Sequence, residues 1–239
     1  MEKENRDRLL AAISERHSVR RYRNQPIEPE KINLLREKIE ELNRKGRLHI
    51  QLVVEEPKGF SGFFAYGQFS GVRNYFIMAG EKDDTLDWRI GYYGEQLVLY
   101  SQLLGLNTCW AGLSYRKVKG TYDLENGEKI ACYIALGYGE TQGSSHKIKT
   151  PQQVSNVSDT TPEWFLKGVE AALLAPTAVN QQKFSFEYMP PRNSEEKPTV
   201  IARKGKSLVG YTKMDLGIAT YHFEIGTGNV EYVMVSEEK

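Results

Sequence analysis

Arg16, His17, Ser18 and Arg20 stand almost side by side in the run Glu15-Arg16-His17-Ser18-Val19-Arg20-Arg21-Tyr22. Guanidinium forks and hydroxyls suit phosphate oxygens, because several charge-assisted hydrogen bonds can form there in a fixed geometry. The run follows an amphipathic N-terminal stretch, and basic residues at a helix end also complement the helix dipole, so both readings stay open for the cluster by itself. Lys147 and Lys149 alternate in His146-Lys147-Ile148-Lys149. On an extended segment they point the same way and a phosphate can bridge them, although solvated surface lysines would share that spacing.

Two other segments carry groups suited to a flat heterocycle. The loop Ala175 to Gln182 (APTAVNQQ) is stiffened by Pro176, and its Thr177, Asn180 and Gln182 offer amides and hydroxyls that donate and accept. The same groups could instead satisfy an exposed helix end. In Leu106 to Leu113 (LNTCWAGL), the small residues Ala111 and Gly112 let main-chain N–H groups approach a planar ligand, with Trp110 beside them. The Gly- and aromatic-rich stretch Gly59 to Gly71 reads as a packed loop between strands or as a mobile aromatic lid.

The whole chain narrows the field. Its 239 residues carry 32 Lys plus Arg against 31 Asp plus Glu, a balance that argues against a dedicated nucleic-acid binder and favours a small anion at the basic run. The four His and two Cys show no metal-ligand spacing. Cys109 and Cys132 lie in apolar runs that read as core, and a reducing cytosol is the expected setting. The opening MEKENRDR lacks the apolar segment of a secretory signal, and runs such as Leu97 to Leu106 are too short to span a bilayer, so no membrane association is expected.

These residues must be held by an element order that occurs twice. Pro29 opens a helix through Ile32, Leu35, Ile39 and Leu42, followed by an alternating strand at Leu48 to Val54; Pro162 opens another, followed by a strand at Phe184 to Met189. Asn74 to Gly80 then matches Thr199 to Gly205 as strands, and Gly94 to Gly105 matches Asp215 to Gly226 as helices closed by a left-handed Gly. Lys129 to Gly137 matches Asn229 to Val235 as a closing strand. The expected architecture is α+β, with antiparallel-type sheets flanked by helices and an internal duplication. The halves are residues 1–155 and 156–239, forming one compact unit. Each half keeps a different specialised loop, so one composite site is expected.

In this context the segments resemble the FMN-dependent nitroreductase family. The carrying motifs are RHSVR at 16–20, GEQLVLYSQLLGLNTCWAGL at 94–113, ALGYGE at 135–140 with HKIKTPQQV at 146–154, and APTAVNQQ at 175–182. Ordinary members are homodimers with FMN in the subunit interface and an early Ala-Pro-Ser/Thr-Asn loop. Here that loop lies late, so the chain is similar to the branch in which fused, degenerate halves mimic the dimer. The resemblance implies that Arg16, Ser18 and Arg20 contact the FMN phosphate and ribityl chain with His17 nearby, and that Lys147 and Lys149 add phosphate contacts. It places Thr177, Asn180 and Gln182, behind Pro176, at the isoalloxazine ring, and the Ala111 and Gly112 amides beside Trp110 at the N5/O4 edge. It further implies NADPH or NADH as electron donor, a small electron-poor acceptor, no catalytic side chain, a cytoplasmic setting and a chain able to act as a monomer. Gln182-Lys183 replaces the family's usual Pro-Trp after the loop glutamine. A flavin-binding or flavin-free protein without turnover is the alternative.

Overall fold

The computed structural model describes residues 3–61 and 68–237. The chain divides into Arg16–Ser145 and a second unit joining Met1–Glu15 to His146–Lys239, a different division from residues 1–155 and 156–239. The core of the expected Gly59 to Gly71 lid, residues 62–67, lies outside the described residues.

In the Arg16–Ser145 unit, α2 (Pro29–Gly46) starts on proline, whose missing N–H would be unpaired there anyway, and buries Ile32, Leu35, Ile39 and Leu42 as one stripe. The strand after it is shorter than the expected 48–54. β1 is Gln51–Val53, and the alternation breaks because Val53 rather than Leu52 is buried. β2 (Asn74–Glu81) is buried through Gly80, as befits a central strand flanked on both sides. α3 (Leu86–Leu103) starts earlier than the expected 94–105 and is followed by Gly105 at φ 76°. β3 (Asn107–Ala111) and β4 (Glu128–Gly137) complete an antiparallel sheet in the order β1-β2-β4-β3. Gly94 is where α3 passes over β3, because a Cβ there would come within 2.5 Å of the Trp110 ring.

The edge strand β3 pairs with β4 on one side. Along its other side runs the basic segment: Ser18 bridges Thr108 in parallel, and Val19 N–H donates to Thr108 O at 3.1 Å. Two stretches some ninety residues apart in sequence thus become neighbours on one sheet edge.

In the second unit, α1 (Lys3–Glu15) is tied to α6 (Thr212–Thr227) by Arg6, whose guanidinium donates to Ile225 O at 2.9 Å and Gly226 O at 2.8 Å. The short α4 (Pro151–Val154) and α5 (Glu163–Leu173) precede β5 (Phe184–Met189) and β6 (Thr199–Lys204). The core stacks Phe186 on Phe223 with centroids 4.5 Å apart, next to Phe165. Gly226 is not the expected left-handed cap; Gly228, at φ 73°, follows the helix instead. Gly226 has a packing role, since a Cβ there would fall 2.5 Å from Lys167 O and 2.8 Å from the Gly168 Cα.

The run α2-β1-β2-α3 and the run α5-β5-β6-α6 share the order helix, strand, strand, helix, but two strands, β3 and β4, follow the first and one strand follows the second. Strand directions differ, however. β7 (Val233–Glu237) runs parallel to β6, whereas β4 runs antiparallel to β2, so Lys129 to Gly137 and Asn229 to Val235 are not equivalent closing strands. The sheet β5-β6-β7 is therefore mixed rather than antiparallel. A helical crossover returns β7 in the direction of β6, which no local sequence pattern encodes.

Candidate functional site

In the Arg16–Ser145 unit, the basic run is fixed by its pairing with β3. Arg16, Ser18 and Arg20 gather around the buried thiol of Cys109. Burial pushes that thiol upward, opposed by the Arg20 charge, a hydrogen bond from Ser18 and the Arg16 charge. Tyr22 lies beside them. Its phenol is raised well above its ordinary value by burial, with Cys109 adding to the rise and Arg20 opposing it. Its hydroxyl is buried without a hydrogen-bond partner, as is Arg16 Nε. Arg20 is exposed and forms no ion pair among the described residues. His17 is half-buried, and burial together with the Arg16 charge lowers its imidazole, so at neutral pH it adds hydrogen-bonding capacity without charge.

Arg16 and Trp110 are both oriented by one residue outside the expected set. Glu95, fully buried on α3, accepts a hydrogen bond from Trp110 Nε1 at 3.0 Å and lies 3.8 Å from Arg16 Nε. The Arg16 guanidinium is only 3% exposed, so it faces this carboxylate and is far less open than Arg20. Ala111 ends β3 and is buried, and Gly112 follows in a bend.

The second unit holds the other candidates. Asn180 Nδ2 donates to Lys147 O at 2.8 Å, and Gln182 Nε2 donates to the same oxygen at 2.9 Å. Lys149 N–H donates to Gln182 Oε1 at 2.9 Å, and its ammonium donates to Gln182 O at 2.6 Å. Gln182 N–H donates to Thr177 Oγ1 at 3.0 Å. Lys147 is exposed while Lys149 is half-buried against the loop, so the two do not present equivalent ammonium groups.

Pro176 leads into a backbone that turns left-handed three times, at Val179 (φ 47°), Asn180 (φ 56°) and Gln182 (φ 46°). A β-branched residue in that region is strained, and strain of this kind is held only where surrounding contacts fix it. Asp215, in the first turn of α6, supplies that hold. Its carboxylate accepts from Ala178 N–H at 3.0 Å and from Gln181 Nε2 at 2.7 Å. Burial raises Asp215 to about 6, against the pull of those two donors. Gln181 also donates to Gly210 O at 3.0 Å and accepts from Ser207. Glu95 and Asp215 are each an acid at the start of an otherwise apolar run, the one sequence signal that would have singled them out.

The candidates thus form two groups, one per unit: Arg16 to Arg20 with Trp110 to Gly112, and Lys147 to Lys149 with Pro176 to Gln182. Among the described residues, no group of His, Cys, Asp and Glu is arranged to hold a metal. No helix among them is long and apolar enough to cross a membrane.

A family model described as Putative TM nitroreductase matches residues 8–227. Among solved structures, a putative nitroreductase from Thermotoga maritima MSB8 is similar with a TM-score of 0.60 at 22% identity, covering 91% of this chain and 82% of that one. A nitroreductase-like protein from Streptococcus mutans has a TM-score of 0.52 at 13% identity, covering 64% and 99%. A putative nitroreductase in complex with FMN from Desulfovibrio desulfuricans has a TM-score of 0.50 at 15% identity, covering 64% and 98%. At these identities the likeness is one of fold. No match is found among curated proteins.

Proposed function

Because the chain belongs to the Putative TM nitroreductase family, an oxidoreductase family of nitroreductase type, we propose that it is an FMN-dependent enzyme that uses NADPH or NADH to reduce electron-poor small molecules. One observation carries the reading: the basic run lies along the β3 edge, with Arg16, Ser18 and Arg20 around Cys109. An anionic phosphate fits this group, since it would give partners to the orphaned Arg16 Nε and Tyr22 hydroxyl and a counter-charge to Arg20.

When bound, FMN would supply hydride transfer through its N5. The chain would do the rest. Arg20 and Ser18 hold the phosphate, with Arg16 behind them. Burial keeps the Cys109 thiol protonated, so it adds no negative charge beside that phosphate. In the other unit, Thr177 retains its hydroxyl proton after accepting from Gln182, which leaves it able to donate to a ligand. The Ala111 and Gly112 main chain would offer N–H groups to the N5/O4 edge, where negative charge grows on reduction. The Asp215 contacts keep the Thr177 to Gln182 loop set before a ligand arrives.

The repeated element order is the trace of a duplication that kept the Ala-Pro-Thr-Ala-Val-Asn loop once, so one flavin binds per chain and a monomer suffices. A cytoplasmic setting follows from the reducing conditions that the two free cysteines favour.

The test is the absorption spectrum of the purified protein. A flavin spectrum, released FMN and bleaching by NADPH or NADH support the reading; a colourless protein that rejects added FMN overturns it. A second reading, a flavin-binding or flavin-free protein without turnover, is favoured by Lys149, which is half-buried and already gives one of its three ammonium hydrogens to Gln182 O. Bound flavin that no nicotinamide bleaches would establish it.

A further inference from the structure

Asp215 is 3% exposed, and both of its carboxylate oxygens accept hydrogen bonds: Oδ1 from Ala178 N–H at 3.0 Å and Oδ2 from Gln181 Nε2 at 2.7 Å. The same Gln181 amide nitrogen also donates to Gly210 O at 3.0 Å, while Gln181 Oε1 accepts from the Ser207 hydroxyl. One side-chain amide therefore joins α6 to the turn at residues 207–210. That turn carries the exposed Leu208 and Val209 and enters α6 through left-handed backbone at Gly210 (φ 80°) and Tyr211 (φ 62°).

This pattern suits an ionised carboxylate. A protonated carboxyl has an O–H that must donate, and the two groups bonded to Asp215 are both donors. The Ala178 N–H belongs to the main chain and cannot turn away. The Gln181 amide can, because its last torsion is roughly two-fold and the flipped amide fills the same space. Flipped, its Oε1 accepts from the new Oδ2–H, and its Nε2 donates to Ser207 Oγ. That hydroxyl oxygen has a lone pair to spare beside the Val209 N–H it already accepts at 3.1 Å. The Gly210 carbonyl then faces Oε1, acceptor against acceptor, and its hydrogen bond is lost.

The elements around Asp215 carry other titratable groups. Lys183 follows the loop, Lys206 precedes the turn, and Tyr211, Lys213 and His222 lie before or on α6. Glu187 and Arg203 pair across β5 and β6, and Arg6 and Lys167 lie by Gly226 at the far end of α6. None of these is a cause of the Asp215 shift, which burial sets against the two donors, lifting the carboxyl to about 6.

We infer that Asp215 and Gln181 form a proton-operated latch on the 207–210 turn. The ionised carboxylate holds the amide in the orientation that ties the turn down; a proton taken from solvent onto Oδ2 flips the amide, reverses the Ser207 bond and frees Gly210. The Ala178 anchor of the strained loop persists in both states, so the turn responds while the loop stays set. The latch uses only the chain's own groups and stands whether or not a flavin binds.

NMR of the purified full chain from about pH 4 to 8 tests this without a ligand. The Gly210 carbonyl carbon and the Gln181 side-chain amide should shift together, with one midpoint at about 6. A Gly210 signal that does not follow pH overturns the inference. Asp215→Asn keeps an oxygen for Ala178 N–H and puts an N–H where the acid's O–H would stand, so Gly210 should show its acid-form signal at every pH. A variant that keeps the neutral-form signal, with its circular dichroism spectrum unchanged, overturns the latch. In Gln181→Met the Asp215 carboxyl carbon should still titrate while Gly210 stays still; Gly210 moving with it would show that the amide is not the coupling.

Discussion

Arg16 Nε lies 3.8 Å from Glu95 Oε1 with both side chains buried, and no hydrogen bond reaches that nitrogen. Glu95 also holds the Trp110 indole, so one carboxylate on α3 orients a member of the basic run and a member of β3 together. A charge buried in this way is tolerable only while its partner remains.

Glu95→Gln should therefore destabilise the protein by about 3–5 kcal/mol, because Arg16 is left buried without a counter-charge. Replacing both residues, Arg16→Met with Glu95→Gln, removes the buried charge while leaving an amide oxygen for the Trp110 indole, and should recover most of that loss. Urea unfolding of the three proteins checks it: equal midpoints for the wild type and Glu95→Gln would show that Arg16 draws its stabilisation from elsewhere.

Arg20 is exposed and has no carboxylate partner among the described residues, so Arg20→Ala should leave the fold intact. On the proposed reading, in which Arg20 holds the FMN phosphate, its loss should remove a charge-assisted fork of roughly 1.5–3 kcal/mol and lower FMN affinity about ten- to a hundredfold. Riboflavin, without the phosphate, should lose far less. Equal losses for the two flavins, measured by fluorescence titration, would place Arg20 at the ring or in the local scaffold.

Asp215 makes stability depend on pH in an unusual direction for an acid. Burial raises its folded value to about 6, above the ordinary 3.8, so the folded state holds the proton more tightly. Its contribution is fullest below about pH 4 and is lost as pH rises through about 6. Asp215→Asn removes this term. Wild-type stability minus variant stability should fall by about 2 kcal/mol between pH 4 and 7. A flat difference curve would show that the carboxyl is not shifted.

Gly226→Ala places a methyl group 2.5 Å from Lys167 O and 2.8 Å from Gly168 Cα, both main-chain atoms that cannot swing aside. α5 and α6 must part, and overpacking of this kind costs about 1–3 kcal/mol. Thermal melting should fall by several degrees, whereas Gly105→Ala, with nothing within 4 Å of the added methyl, tests only the cost of a left-handed φ.

Much of this was legible in the residues. Pro29 and Pro162 marked helix starts, and Cys109 and Cys132 read as core. The rest depended on contacts with no local signature. The parallel return of β7 is set by the passage of α6 over the sheet, not by any residue in Val233–Glu237. The early start of α3 at Leu86 is hidden because Trp88, Tyr92 and Tyr93 are poor helix formers on their own and are held there by packing. The engagement of Lys149 with Gln182 O and of Arg16 with Glu95 needed the fold to bring distant groups together.

The division of the chain sets an order on its synthesis. Arg16–Ser145 is continuous and can close on itself as soon as it leaves the ribosome. α1 cannot finish, because Arg6 must reach carbonyls 219 and 220 residues further along. At about 5–20 residues per second it waits on the order of tens of seconds with Leu9, Ala12 and Ile13 uncovered. A helix translated before the Arg16–Ser145 unit is thus completed after it, and during that interval its apolar face stands open ahead of a finished domain.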